Sequence, residues 1–132
     1  MAVVEDDSEV RRLLDPATRP ATLHGRRKRA LQPLSPADQQ LFLAVLRGEH
    51  RVQGFRKRDI ARRLYAHEAK DSEERRRCGR VTRLIQLLRA HGLVAKISRS
   101  RRYRVTARGE RLMSAAIKVK ELDLPRRMRA TA

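Results

Sequence analysis

The sequence predicts a mainly α-helical domain that contains one small β-hairpin. Apolar residues recur at steps of three and four in four separate segments, which is the spacing of amphipathic helices. After Gly92 this period shortens to about two, which is typical of β-strands. With 132 residues the chain is expected to fold as one domain, and its two Phe, two Tyr and no Trp imply a mainly aliphatic core.

The first 34 residues show no sustained periodicity. Residues 1–24 carry five acidic and three basic side chains, and we expect them to form a flexible acidic arm. Residues 25–34 are interpreted as a basic linker. A solvated linker and a basic arm that lies along a phosphate backbone are both compatible with this composition. The basic residues of this segment are Arg26, Arg27, Lys28 and Arg29.

The predicted domain spans residues 35–124 and begins with a helix that serves as scaffold. Ser35 is a favourable N-cap, and Pro36 occupies the first helical position, where its missing N–H does no harm. Leu41 belongs to the apolar stripe of this helix, which is expected to end at Gly48.

A second helix is predicted over residues 56–66, with Ile60 and Leu64 on its apolar face and Phe55 at its start. Most of its remaining surface is basic. The basic residues at its beginning are Arg56, Lys57 and Arg58.

The segment RRRCGRVTRLIQLLRAHGL, residues 75–93, predicts a third helix with two contrasting faces. An apolar stripe through Val81, Ile85 and Leu88 faces the core, and the same stripe makes Cys78 a small buried hydrophobe. This helix begins either near residue 72 or only at Cys78, since a glycine weakens its first half. The opposite face carries Arg76, Arg80, Arg83 and Gln86, and no acidic residue follows Glu74 in this helix.

The stretches LVAKIS and YRVT, joined by RSRR, predict a β-hairpin. Thr106 then caps a fourth helix that stops before Pro125, and residues 125–132 are expected to form a disordered basic tail. All charged residues of the hairpin are basic: Lys96, Arg99, Arg101, Arg102 and Arg104.

This order of elements is that of a winged helix-turn-helix, with a three-helix core, a two-stranded wing and a C-terminal helix. A helix enters the major groove of duplex DNA when its outer face carries hydrogen-bond donors, and a hairpin beside it can reach the backbone. The candidate base-contacting residues are therefore Arg76, Arg80, Arg83 and Gln86. The candidate backbone-contacting residues are Arg56, Lys57, Arg58, Lys96, Arg99, Arg101, Arg102 and Arg104.

The net charge supports an anionic partner. The chain has 33 basic and 15 acidic residues, which gives a formal charge of +18. Such an excess makes the compact state repel itself, and binding to nucleic acid is a common reason for it. No apolar run is long enough to span a membrane, and the acidic N-terminus does not resemble a signal peptide. We therefore expect a cytoplasmic, nucleoid-associated protein without a membrane partner.

The sequence gives no indication of an enzyme, a metal site or a cofactor. Its four histidines are scattered, and none forms a metal-binding spacing with another ligand residue. A single cysteine excludes an internal disulfide and a multi-cysteine zinc site. Neither a glycine-rich phosphate loop nor a nucleophile motif is present.

Part of the chain resembles a known family. The segment VTRLIQLLRAHGLVAKISRSRRYRVTARGERL resembles the second half of MarR-like winged-helix DNA-binding domains. Residues 25–122 also resemble a block near the C-terminal end of uncharacterised bacterial proteins. The resemblance implies a winged helix that binds DNA. Lys57 departs from this pattern, because the family commonly has Asn or Thr there, and this predicts a poorly capped second helix.

Two functions remain open at this stage. The favoured one is binding of duplex DNA, as a transcriptional regulator or a factor associated with a mobile element. The alternative is an RNA-binding or protein-interaction subunit of a larger nucleoprotein complex, since fold alone does not decide function. A homodimer through the C-terminal helix is a further possibility.

Overall fold

The computed structural model describes the backbone of residues 7–130 and the side chains of residues 9–122. Helices dominate, and two short antiparallel hairpins complete the fold. The helices are α1 (Asp7–Leu14), α2 (Pro36–Val45), α3 (His50–Gln53), α4 (Lys57–Leu64), α5 (Asp71–Ala90) and α6 (Ala107–Ala130). The strands are β1 (Ala21–Leu23), β2 (Arg26–Lys28), β3 (Val94–Lys96) and β4 (Tyr103–Val105).

The N-terminal segment differs from the flexible arm expected over residues 1–24. Helix α1 packs against α6, and a 3-10 turn over Asp15–Thr18 follows it. Leu14 and Ala17 are buried in the main core, and the Leu31 N–H donates to the Ala17 carbonyl over 2.8 Å. The apolar stripe of α1 is only two turns long, too short to stand out against its acidic neighbours. Residues 1–6 lie outside the described residues.

The segment expected to be a basic linker over residues 25–34 begins with a strand. Strands β1 and β2 pair in antiparallel register, Ala21 with Lys28 and Leu23 with Arg26. The turn residues His24 and Gly25 have φ angles of 50° and 77°, the positive values that a type I′ hairpin turn requires. We call β1, β2 and this turn the N-terminal hairpin.

Helices α2 and α4 each begin with a hydrogen bond between a side chain and the backbone. The Ser35 hydroxyl accepts from the Asp38 N–H at 3.3 Å, which confirms the predicted cap of α2. At α4 the Asp59 carboxylate accepts from the Arg56 N–H at 2.8 Å. Arg56, and not Lys57, occupies the N-cap position, and its side chain makes no capping hydrogen bond, as expected of a poorly capped helix. The bond from the Arg56 N–H to Asp59 is the reciprocal half of a capping box.

Helix α5 begins at Asp71 and includes the whole uncertain region around Gly79. Val81 is the first buried residue of this helix, and Ile85 and Leu88 are buried on the same face. Cys78 is exposed, so the prediction that it is buried is wrong. It lies on the predicted stripe, but the first half of the helix extends beyond the core that would cover it.

Strands β3 and β4 form the predicted hairpin, with Val94 opposite Val105 and Lys96 opposite Tyr103. We call it the C-terminal hairpin. It also pairs with the chain before α4, because Phe55 and Tyr103 exchange two backbone hydrogen bonds of 2.8 and 2.9 Å. Gly54 permits this approach: its φ is 75°, and a Cβ there would lie 2.3 Å from the Tyr103 carbonyl oxygen.

Helix α6 closes the core. The Thr106 hydroxyl accepts from the Gly109 N–H at 2.9 Å, as its predicted capping role requires. Gln39 of α2 donates from its buried amide to the carbonyls of Pro33 and Ala116. The helix continues through Pro125 to Ala130, in place of the disordered tail expected over residues 125–132. Proline removes one backbone donor, but its fixed φ is compatible with a helix. Residues 131 and 132 lie outside the described part of the chain.

Candidate nucleic-acid interface

Three of the predicted base-contacting residues lie together on α5. Arg76, Arg80 and Arg83 are exposed, and their spacing of four and three places them on one face. This face points away from the core stripe of Val81 and Ile85. Within the residues that the structure describes, none of the three arginines forms an ion pair. The first half of α5 thus presents guanidinium groups to solvent.

The flanks of this face are covered by different elements. On one side the Arg77 guanidinium lies 4.6 Å from the centre of the Tyr65 ring, just after α4. On the other side the Lys28 ammonium of the N-terminal hairpin donates to the Gln86 side-chain oxygen at 3.2 Å. Arg77 and Gln86 are nine positions apart, which at roughly 100° per residue puts them on about opposite sides of the helix. Helix α5 therefore lies between α4 and the N-terminal hairpin.

Gln86 differs from the three arginines predicted with it. It is half-buried, and its oxygen is occupied by Lys28. Helical spacing places it at the edge of the arginine face, next to the N-terminal hairpin. The N-terminal hairpin that covers it could not be foreseen from the sequence of the helix alone.

Two residues of the predicted basic arm stabilise the fold. Arg29 donates to both oxygens of Asp38, at 2.9 and 3.2 Å, and the Asp38 side chain is only 3% exposed. The hydrogen bond that Arg29 donates to Asp38 raises the pKa of Arg29, although partial burial acts in the opposite direction. The Arg29 carbonyl contacts the His91 ring at 2.9 Å. This contact joins the residue after the N-terminal hairpin to the C-terminal end of α5. Lys28 is bound to Gln86, and Arg26 and Arg27 are exposed.

The three basic residues at the start of α4 differ in their exposure to solvent. Lys57 and Arg58 are exposed, as expected of residues that contact a phosphate backbone. Arg56 is half-buried at the N-cap position, and its Nε is buried without a hydrogen-bond partner among the described residues.

The C-terminal hairpin holds its basic residues outward. Four of them are exposed and Arg102 is half-buried. The loop is fixed by Ser100, whose hydroxyl donates to the Ile97 carbonyl at 2.9 Å and accepts from the Arg102 N–H at 3.1 Å. The four exposed residues are Lys96, Arg99, Arg101 and Arg104, and in the described part of the chain no acid pairs with any of them.

Arg62 and Arg63 of α4 were not among the predicted site residues. Both are exposed, and Arg63 donates to Glu49 at 3.1 Å. They border a cleft between α4 and the C-terminal hairpin. In the sequence, only their positive charge indicated a role. The cleft itself could not be predicted, because Arg102 on its other side lies far along the chain.

Comparison with protein-family models, with curated proteins and with solved structures finds no significant match. In the residues that the structure describes, no helix is long and apolar enough to cross a membrane. The same residues contain no group of three His, Cys, Asp or Glu side chains that could hold a metal ion.

Proposed function

We propose that this chain is a winged helix-turn-helix protein that binds duplex DNA. The observation that carries the proposal is the exposed arginine face of α5, formed by Arg76, Arg80 and Arg83. An exposed helical face of this kind fits the major groove, where arginine recognises guanine through two parallel hydrogen bonds. The proposal includes no catalytic step and no cofactor.

The position of the face along α5 supports this role. Recognition helices use their N-terminal residues to contact base edges, and the exposed arginines lie in the first two-thirds of α5. The second half is held by the core through Ile85 and Leu88. A rigidly supported helix keeps its donors oriented before DNA arrives, which lowers the entropic cost of binding.

The C-terminal hairpin supplies the second part of the proposal. It follows α5 directly and packs against it, and none of its five basic residues forms an ion pair with a residue that the structure describes. Such a hairpin suits contacts with the phosphate backbone or with a neighbouring minor groove. The Phe55–Tyr103 backbone pairing adds a third extended segment to it, which strengthens the likeness to a winged helix.

The test is a binding series with duplex DNA, single-stranded DNA and duplex RNA at several salt concentrations. If the protein contacts about six phosphates, log K for duplex DNA should fall against log salt with a slope near −5. A slope near zero, or tighter binding to single strands or RNA, would contradict the proposal. Duplex RNA as the preferred ligand would instead support the alternative of an RNA-binding subunit.

Dimerisation through α6 stays a prediction. Sedimentation of the full chain with and without DNA would measure the number of copies per complex. A monomer in both states would contradict it.

A further inference from the structure

A polar cleft of about 400 Å³ lies between the region around α3 and α4 on one side and the C-terminal hairpin on the other. Three arginines are among the residues that line it, Arg62 and Arg63 of α4 and Arg102 of the hairpin. Two carboxylates, Glu49 and Asp59, line it as well. The cleft is separate from the arginine face of α5.

Both carboxylates already have donors. Glu49 accepts from Arg47 and from Arg63, each at 3.1 Å. These hydrogen bonds, the one from Arg63 first, lower the pKa of Glu49, so this side chain is ionised at neutral pH. The Asp59 carboxylate accepts from the Arg56 N–H at the start of α4.

The remaining charge in the cleft is positive. Arg62 and Arg102 form no ion pair with any residue that the structure describes. Arg102 is half-buried, so part of its side chain has left bulk water without gaining an acidic partner. A guanidinium in this situation is stabilised by an incoming oxyanion, because charge-assisted hydrogen bonds are stronger than neutral ones.

The walls of the cleft are fixed before any ligand arrives. The Arg102 carbonyl accepts from the Ile97 N–H at 2.9 Å, and Gly54 holds the opposite wall against Tyr103. His50 is 8% exposed, and its Nδ1 contacts the Val45 carbonyl at 3.1 Å. A preformed polar site of this kind loses little conformational entropy when it binds.

We infer that this cleft binds a phosphate group, held by Arg62 and Arg102 with Arg63 beside them. The planar guanidinium fork matches two oxygens of a phosphate. The phosphate group can come from a small phosphorylated molecule or from a nucleic-acid backbone. In either case the occupant would bridge α4 and the C-terminal hairpin.

The first arm of the test uses inorganic phosphate and the full chain at constant ionic strength. The Nε–Hε signals of the arginines are followed by NMR while phosphate replaces chloride. We expect the signals of Arg62 and Arg102 to shift together and to saturate with one Kd. Arg62→Ala should weaken this binding at least about tenfold, which corresponds to one charge-assisted hydrogen bond. The matched control is Arg111→Ala, an exposed arginine of α6 outside the cleft.

The second arm repeats the measurement with a short DNA duplex in place of phosphate. If the backbone is the source, the Arg62 signal should shift with DNA, and Arg62→Ala should make the salt slope shallower by about one unit. Melting temperatures of all variants verify that they are folded.

The possible results of the two arms lead to different conclusions. Saturable phosphate shifts at Arg62 and Arg102 support a site for small phosphorylated molecules, even if DNA does not bind and the proposed function fails. A response to DNA alone supports a backbone site. Phosphate shifts spread over all exposed arginines, together with an unchanged DNA slope in Arg62→Ala, would overturn the inference.

Discussion

The two hairpins have strands of the same length and a similar basic composition, but they are attached to the helices in different ways. The N-terminal hairpin is attached through charged side chains: Lys28 of β2 contacts Gln86, and Arg29, which directly follows β2, contacts Asp38. The C-terminal hairpin is held by backbone pairing with Phe55, and four of its five basic side chains are exposed.

This contrast shows that a run of arginines and lysines does not reveal its role by itself. A basic residue stabilises the fold when another element brings an acceptor to it, as Asp38 does for Arg29. It is available to a partner when it is exposed and no described residue forms an ion pair with it, as for Arg101. The predictions below test this difference.

The largest expected effect is at the backbone attachment of the C-terminal hairpin. Gly54→Ala should lower the free energy of unfolding by about 2–4 kcal/mol, because the φ of 75° is unfavourable for alanine and the new Cβ would overlap the Tyr103 carbonyl. Urea denaturation measures this loss. Gly25→Ala in the N-terminal turn is the matched control: its φ is 77°, but nothing lies within 4 Å, so about 1 kcal/mol is expected. Equal losses for both variants would show that the contact with Tyr103 does not matter.

The next effect concerns α5, which lies beside the N-terminal hairpin. Arg80→Ala and Arg83→Ala should each lower the affinity for a specific DNA site by roughly 1–3 kcal/mol and relax the preference at one base pair. Stability should change by less than about 0.5 kcal/mol, since both side chains are exposed. Site selection from random duplexes, followed by titration, provides the measurement. Gln86→Ala should leave the base preference unchanged, because Lys28 occupies that side chain. A changed base preference in this variant would show that Gln86 does contact the DNA bases.

A smaller effect separates neighbouring arginines of the N-terminal segment. Arg29→Ala should cost about 1–2 kcal/mol of stability, because it leaves the buried Asp38 carboxylate with fewer donors. Half of the Arg29 side chain is exposed, which keeps the loss below that of a fully buried pair. Arg27→Ala, two positions earlier and exposed, should cost less than about 0.5 kcal/mol. Thermal unfolding of both variants decides whether the ion pair stabilises the hairpin.

The smallest effect compares exposed arginines of the two hairpins. Arg101→Ala should weaken binding to all DNA sequences alike and make the salt slope shallower by about one unit. Arg27 alternates with Lys28 along β2, so it points away from the side that contacts α5, and Arg27→Ala should leave the slope unchanged. A loss of slope in Arg27→Ala would extend the DNA-contacting surface to the N-terminal hairpin.

The spacing of apolar and charged residues along the sequence predicted those features that form within a single helix or hairpin. The arginine face of α5 follows from steps of three and four, and the C-terminal hairpin follows from the change of period after Gly92. These patterns are set by backbone geometry within a few residues.

The remaining features depend on contacts between distant segments. Cys78 was expected to be buried but is exposed. Periodicity gives the direction in which a side chain points, but not how far the core extends along the helix. The partners of Gln86 and Arg29 come from other elements, and no spacing within α5 or residues 25–34 encodes them. The order of the N-terminal segment was missed for the same reason, since α1 packs against α6 near the other end of the chain.

The exposure of Cys78 has a practical consequence. It is the single cysteine of the chain, so a thiol-reactive dye attaches at one position, in the half of α5 that carries Arg76 and Arg80. The emission of such a dye would report the arrival of a ligand at this helix. The same accessible thiol can join two copies through a disulfide under oxidising conditions. A dimer that disappears on addition of a reductant would therefore reflect sulfur chemistry and not a contact between C-terminal helices.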